Sequence, residues 1–369
     1  MKPASTVTGD DLVLGLLAKR DGDERLLGRE LICETDLLPA RDETFLRGLR
    51  AGALPSDLAA LSMHVIPGET KAVDRVAGYT IELRDDGRAF RRQFPLSTLA
   101  GVARRAALRL IEQGALQTAD EYSYFLTTLR SDGEVLPAET PSAPNGANGL
   151  KVTRRQEPLV FEKASLKDYL KNSELMTGCS APEEPETEPP MPVFAADDAW
   201  KDGHDYARSG GENESAAVWS GTLLQDTDSP EIFMRLDACL QAEHAQEEKL
   251  AVTFSGETWA RIRELLDLRR RRLNRPNERI LGSVHSHPFY PEADDTGNRR
   301  CAACAFARIC SRTTALTSLA DIDWHRSVFC GQPWAILTIW GFNAREEEDW
   351  RVYALSDATL QPRTLRRLK

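Results

Sequence analysis

The stretch ILGSVHSHPFYP, residues 280–291, decides the fold of the second half of the chain. Its apolar start predicts a buried β-strand that ends at His285 and His287. Side chains two residues apart on a strand point to the same face, so both imidazoles can hold one ion. Asp321, in the stretch LTSLADID at 316–323, can add a third ligand at the start of a predicted helix. Two imidazoles and one carboxylate leave a fourth tetrahedral position for water, which is the pattern of a catalytic zinc site.

A catalytic zinc site also needs a base that takes a proton from water and passes it to the leaving group. Glu214, in the upstream segment GGENESAAVWSG, is the candidate, and Glu212 is its nearest rival. Ser318 has no base beside it in the sequence. We therefore interpret Ser318 as a hydrogen-bond donor to a developing oxyanion and not as a nucleophile.

Three of these elements together resemble one enzyme family. Glu214, HSHP at 285–288 and SLAD at 318–321 are similar to the Glu, His-x-His-Pro and Ser-x-x-Asp elements of the JAMM/MPN metallopeptidases. The resemblance covers residues 191–369. It implies a cytidine-deaminase-like α/β (α+β) domain with a central mixed sheet flanked by helices. It also implies that the two histidines and Asp321 ligate a catalytic Zn2+, with Glu214 as the base.

The resemblance further implies a reaction and its partners. Family members hydrolyse the peptide or isopeptide bond that follows the C-terminal tail of a ubiquitin-like protein. The expectation is therefore deconjugation or precursor processing in a bacterial ubiquitin-like pathway, beside E1/E2-like conjugation enzymes. Two alternatives stay open: a peptidase that acts on a small sulfur-carrier protein, and a non-catalytic MPN scaffold or binding subunit. Retention of all five site residues speaks against the scaffold.

Two features depart from the family pattern. Ala216 and Ala217 stand where family members usually have glycines, and their small side chains are compatible with the same fold. The segment between the proline and the serine is much longer than in the family, which predicts an insertion at about 289–317 beside the active site.

The predicted insertion contains the motif CAACAFARIC, with Cys301, Cys304 and Cys310. Three thiols at this spacing favour a second, structural metal site, with Cys330 as the fourth ligand. A second Zn2+ is the first interpretation, and an iron-sulfur cluster is the alternative. A third hypothesis is that this cluster senses redox state or metal supply and gates the catalytic site.

Composition limits the classes of function. The formal net charge of −10 provides no basic surplus for phosphate contacts, so nucleic acid is not an expected partner. The run RRRR at 269–272 is interpreted as a solvated helix end, where cations suit the helix dipole, with a docking surface for an acidic partner as the alternative. The sequence has neither a membrane-length apolar run nor a signal-peptide pattern, which predicts a cytoplasmic protein without a membrane partner.

The 369 residues predict two domains. Residues 1–135 should form a small α+β domain of unknown type. Its expected parts are a hairpin in GYTIELRDDGRAFRRQF, turning at Asp86 and Gly87, and a helix capped by Ser97. Residues 136–190 contain two linkers rich in Pro, Glu and Gly around a short segment that could pack on either domain.

Residues 191–369 should form the metallopeptidase domain. A helix at about 255–268 and a buried strand in PWAILTIWG are expected on either side of the site residues. His325 lies four residues after Asp321, hence on the same helical face, and is expected at the surface, with support of the site as the alternative.

Overall fold

The computed structural model of this chain describes every residue except 1–11, 21–22, 69, 73–74, 77, 86, 119, 129–134, 137–158, 177–189, 212, 249–251, 288–312 and 343–346. The chain divides into two compact units, Met1–Leu159 and Val160–Lys369. Within the described ranges, no helix is long and apolar enough to cross a lipid bilayer.

The first unit is a mixture of strands and helices, as expected from the sequence. In chain order its elements are β1 Leu12–Arg20, β2 Asp23–Leu31, α1 Glu34–Arg50, β3 Ser62–Pro67, β4 Thr70–Ala72, β5 Arg75–Val76, β6 Gly78–Arg84, β7 Ala89–Pro95, α2 Ala100–Glu112, β8 Glu121–Thr128 and β9 Val135–Leu136. One sheet has the order β4-β5-β8-β1-β2-β9, and a second has the order β3-β6-β7.

The predicted hairpin of the first unit is confirmed, because β6 and β7 pair in antiparallel register around the turn. The predicted helix cap is wrong. Ser97 lies in a 3-10 turn, Leu96–Leu99, and α2 begins only after it. The turn is fixed before the helix starts, because Leu99 is buried and the Thr98 hydroxyl donates to the Pro95 carbonyl over 2.7 Å.

Within its described residues, the second unit contains a mixed sheet and four helices. Its elements are β10 Glu162–Ala164, α3 Leu166–Lys171, β11 Ser173–Met176, β12 Val193–Ala195, α4 Asp197–Ser209, β13 Ala216–Asp226, β14 Ile232–Gln241, β15 Gln246–Glu247, β16 Val252–Thr253, α5 Gly256–Arg272, β17 Arg279–Ser286, α6 Leu319–Val328, β18 Ile336–Phe342, β19 Glu348–Ser356, β20 Thr359–Arg363 and β21 Leu365–Leu368. The main sheet has the order β11-β21-β12-β14-β13-β17-β18-β19-β20, and β10 pairs with β13. The segment that the sequence left between two linkers, with β10, α3 and β11, thus belongs to this unit.

The middle of this sheet is buried, and the histidine strand lies there. β17 pairs with β13 in antiparallel and with β18 in parallel orientation. Nearly every residue of β13 is buried, as expected for a strand with both faces covered. Trp219 on β13 stacks on Trp200 of α4, with ring centroids 6.0 Å apart. This packing needs Gly203, because a Cβ there would lie 2.5 Å from the Trp219 ring.

Helix α5 begins as predicted and runs one turn further. Ser255 caps it by accepting a hydrogen bond from the Thr258 N–H over 3.1 Å. The basic run at its end is only partly solvated, which corrects the interpretation from sequence. Arg269 lies 2.7 Å from a carboxylate oxygen of Glu278, whose side chain is fully buried. A buried carboxylate needs such a partner, so this arginine ties the helix to the sheet.

Candidate metal centre

Strand β17 and the residue that follows it place both histidines on one side of the sheet. His285 lies opposite Ala216 on β13 and opposite Ile339 on β18. Ser286, between the two histidines, accepts a hydrogen bond on its hydroxyl from the Ser215 N–H over 2.9 Å. The alternation that the sequence predicted therefore places His285 and His287 together, with Ser286 on the opposite face.

Asp321 reaches the histidines from the first turn of α6. Ser318 is the N-cap of this helix, and its hydroxyl accepts from the Asp321 N–H over 3.1 Å. In return, the Ser318 N–H donates to Asp321 Oδ2 over 2.6 Å. This reciprocal capping box fixes the orientation of the Asp321 carboxylate. The Ser-x-x-Asp pattern thus has a local structural function that the sequence analysis did not assign to it.

The three candidate ligands converge on one point. His285 Nε2 lies 3.1 Å from His287 Nε2 and 3.2 Å from Asp321 Oδ1. His287 Nε2 lies 3.5 Å from Asp321 Oδ2. Ligand atoms bound at about 2.0–2.2 Å around a tetrahedral ion lie about 3.3–3.6 Å from one another. The spacing of these donor atoms therefore fits a metal ion, and the group can bind one.

The tautomer of His287 also fits a metal ligand. Its ring Nδ1 lies 2.8 Å from the backbone oxygen of Thr314. A carbonyl oxygen only accepts, so Nδ1 carries the hydrogen and the Nε2 of the neutral ring has a free lone pair. That lone pair faces a carboxylate and a second imidazole. A metal ion among these three groups, or the Nε2 hydrogen of a neutral His285, would satisfy this lone pair.

The charge states of this group are set by burial and by mutual contacts. Burial lowers the pKa of His287, and the nearby His285 lowers it further. Burial alone would raise the pKa of Asp321, but hydrogen bonding and the charge of His285, together with the Ser318 contacts, outweigh it and hold that pKa well below its usual range. A neutral imidazole and an ionised carboxylate are the forms that bind metal.

Glu214 lies beside the three ligands but is not one of them. It precedes β13, where its N–H donates to the Glu248 carbonyl over 2.8 Å, and it is only 8% exposed. Its Oε1 lies 4.0 Å from His287 Nε2. Burial raises the pKa of Glu214 to about 7, with His285 acting against this shift and the Asp321 charge adding to it. A carboxyl group with such a pKa can accept and release a proton near neutral pH.

His325 is buried, which corrects the expected surface position. It is 6% exposed, on the inner side of α6, with its ring centroid 4.8 Å from that of Phe329. Burial lowers its pKa to about 4. The spacing of four residues from Asp321 could have indicated this position, because it puts both side chains on one helical face.

Thr314 is a further residue of the site that the sequence analysis did not predict. Its carbonyl contacts the His287 ring, and no sequence pattern indicates this contact.

The predicted cysteine site stays a prediction. Cys301, Cys304 and Cys310 lie outside the described residues, as does Glu212, the rival base. Cys330 is described, and it lies at an exposed position just after α6.

Comparisons with known proteins leave the family open. No family model matches this chain, and no curated protein matches it. Among solved structures, the chain is similar to the solution structure of protein DSY2949 from Desulfitobacterium hafniense. The sequence identity is 13%, the TM-score is 0.30, and the match covers 48% of this chain and 93% of that chain. A similarity at this level carries no argument about fold or function.

Proposed function

We propose that the second unit is a zinc-dependent peptidase of the JAMM/MPN kind, with the fold of that family. It would cleave after the C-terminal tail of a ubiquitin-like protein, either to remove it from a conjugate or to process its precursor. The single observation that carries the proposal is the convergence of His285, His287 and Asp321, with Glu214 beside them. Three ligands and a separate carboxylate are what metal-assisted hydrolysis requires.

Each residue has a distinct part in the proposed reaction. The two histidines and Asp321 would hold zinc. When bound, zinc supplies Lewis acidity that makes water easier to deprotonate and a carbonyl easier to attack. Glu214 takes a proton from the attacking water and delivers it to the departing amine as the C–N bond breaks. The water oxygen thereby forms the new C–O bond of the carboxylate product.

Ser318 is compatible with the proposed oxyanion contact. Its hydroxyl oxygen accepts the Asp321 N–H, and its hydroxyl hydrogen, which also helps to lower the pKa of the Asp321 carboxyl, would turn toward the substrate oxygen in the reaction. A fixed donor next to a developing oxyanion stabilises the transition state more than the ground state. Ser318 would therefore both cap α6 and stabilise the oxyanion that forms on the substrate.

The substrate class and setting follow from the sequence resemblance and remain part of the proposal. A ubiquitin-like protein is the proposed substrate, E1/E2-like enzymes are the proposed neighbours, and the cytoplasm is the proposed compartment. The cysteine motif at 301–310 would hold a second metal ion. No contact of the described residues favours the sulfur-carrier substrate over the ubiquitin-like one.

Metal content is the first experiment. The wild type, His287→Ala and Cys304→Ala are purified without added metal and measured by elemental analysis. We expect two metal ions in the wild type and the loss of a different one in each variant. If His287→Ala loses no metal, and the wild type has only cysteine-bound metal, the peptidase proposal fails and a scaffold function takes its place.

Hydrolysis is the second experiment. The zinc-loaded wild type is incubated with ubiquitin bearing a C-terminal aminocoumarin amide, with isopeptide-linked ubiquitin dimers, and with a sulfur-carrier protein extended at its C-terminus. Mass spectrometry locates the cleaved bond. Cleavage directly after the tail by the wild type, but not by His287→Ala, would support the proposal. Cleavage of the extended sulfur carrier alone would support the alternative substrate.

A further inference from the structure

His287 is held by hydrogen bonds on its backbone as well as on its ring. Its N–H donates to the Trp340 carbonyl over 2.7 Å, and its Nδ1 donates to the Thr314 carbonyl over 2.8 Å. Its own carbonyl accepts from the Thr314 hydroxyl over 3.1 Å. Thr314, 27 positions away in sequence, therefore contacts this histidine on both its ring and its backbone.

Thr314 is itself fixed to strand β18. Its N–H donates to the Phe342 carbonyl, and its hydroxyl oxygen accepts from the Phe342 N–H, both over 2.9 Å. The hydroxyl oxygen lies nearer the His287 carbonyl oxygen, at 3.1 Å, than the Phe342 carbonyl oxygen, at 3.5 Å, so we assign its donated hydrogen bond to His287. The hydroxyl group thus joins the histidine to β18 with one donated and one accepted hydrogen bond.

Gly341 makes room for this arrangement. A Cβ at Gly341 would lie 2.3 Å from the Thr314 hydroxyl oxygen and 2.8 Å from the Ala315 nitrogen. Distances below about 3 Å cannot be accommodated without movement, and one of the two close atoms belongs to the backbone. An alanine at this position must therefore displace the segment that carries Thr314.

We propose that Thr314 is the positioning residue of the metal centre. Its carbonyl selects the tautomer of His287 in which Nε2 is free for metal, and its hydroxyl holds that carbonyl in place through β18. This inference rests on the proposed function, because it concerns the same metal site. It deepens that function by assigning metal affinity to a residue that touches neither the metal nor a substrate.

Thr314→Val is the main variant, because valine keeps the shape and the backbone carbonyl but removes the hydroxyl. Loss of a residue that orients a metal-binding histidine typically weakens metal affinity by about 10–100-fold. We expect a zinc dissociation constant raised by that factor, measured by competition with a chromophoric chelator. Gly341→Ala should also raise the zinc dissociation constant.

Two further variants separate positioning from general damage. Thr314→Ser retains the hydroxyl and should bind zinc nearly as tightly as the wild type. Thr313→Val removes a neighbouring hydroxyl that accepts from the Ala315 N–H over 3.0 Å and does not serve His287. It should also leave zinc affinity close to that of the wild type. Melting temperatures in EDTA report whether any variant is damaged without metal.

The tautomer can be measured directly on the wild type. With 15N-labelled histidine, NMR of the metal-free protein at about pH 8, above the ordinary histidine pKa, should show His287 protonated on Nδ1. His287→Ala identifies the signal among the six histidines. This measurement decides the question even if Thr314→Val does not fold, since protonation on Nε2 would overturn the proposal.

The outcomes for the two proposals are distinct. If the wild type binds no zinc at this site, and His287→Ala changes nothing, the proposed function fails. If the wild type binds zinc and His287→Ala abolishes binding, but Thr314→Val binds as tightly as the wild type, only the assignment of Thr314 fails.

Discussion

The carboxylate of Glu214 lies 4.0 Å from the Nε2 atom of His287, next to the three converging donor atoms. Glu214 lies two residues before β13 and His287 directly after β17, and these two strands pair in the middle of the sheet. The antiparallel register brings these two ends together. The separation leaves Glu214 near enough to act on a water at the site without joining the group that can bind a metal ion.

Replacing Glu214 with glutamine should separate metal binding from catalysis. Glutamine keeps the size of the side chain but cannot take a proton, so the hydrolysis rate should fall by about 10²–10⁴-fold. Zinc content should stay at the wild-type value, because Glu214 is not a ligand. Elemental analysis and the cleavage assay on one preparation check both expectations. Glu257→Gln, at an exposed position in the first turn of α5, is the matched control. Loss of zinc from Glu214→Gln would contradict the assigned role.

The same substitution should stabilise the metal-free protein at high pH. The pKa of Glu214 rises from 4.5 to about 7 on folding, so the folded state holds this proton more tightly than the unfolded state does. The resulting stability is present below about pH 4.5 and is lost as pH rises through about 7. Glu214→Gln should therefore have a higher melting temperature than the wild type in EDTA at about pH 8. This advantage should disappear at about pH 4.5, and an advantage that is independent of pH would refute the explanation.

Two capping serines provide a matched pair for testing Ser318. Ser318 and Ser255 both cap a helix through a capping box, and each hydroxyl accepts from a backbone N–H over 3.1 Å. Alanine at either position should lower the free energy of unfolding by about 1 kcal/mol. Only Ser318→Ala should also reduce the hydrolysis rate, by about 10²-fold for a lost oxyanion donor. Urea unfolding and the cleavage assay distinguish these effects. Equal activities of the two variants would leave Ser318 with a structural role alone.

His325 should make the protein sensitive to acid. Its pKa falls to about 4 on folding, so the folded state binds fewer protons than the unfolded state between about pH 6.5 and 4. Stability from the neutral imidazole is present above about pH 6.5 and is lost as pH falls through this range. One differing proton corresponds to about 1.4 kcal/mol per pH unit. His325→Gln should show a smaller fall in unfolding free energy on acidification.

Denaturant unfolding of the metal-free protein at several pH values checks the role of His325. His244→Asn is the control, because His244 is exposed and its φ of 65° is one that asparagine tolerates. The control should follow the wild type across the pH range. If His325→Gln follows it too, the acid sensitivity originates elsewhere.

The sequence predicted the local parts of the candidate site well. His285 and His287 share a face because alternation along a strand is a property of the backbone itself. The helix that carries Asp321 was predicted where it begins, and the capping box of Ser318 and Asp321, which the sequence analysis did not assign, explains why it begins there. Ser97 shows the limit of the same reasoning. It has the residue type of a cap, but the buried Leu99 moved the start of the helix.

By itself, then, the sequence determined which residue types are available, how they alternate along the histidine strand, and where the aspartate-bearing helix begins. These depend on interactions within a few residues. Only the tertiary structure decided that Glu214 approaches His287, that His325 is buried and that Thr314 holds the histidine ring. The contacts of Glu214 and Thr314 with His287 join residues that are distant in sequence. The burial of His325 depends on which elements pack against its helix. Strand pairing and core packing settle such contacts, and no local pattern encodes them.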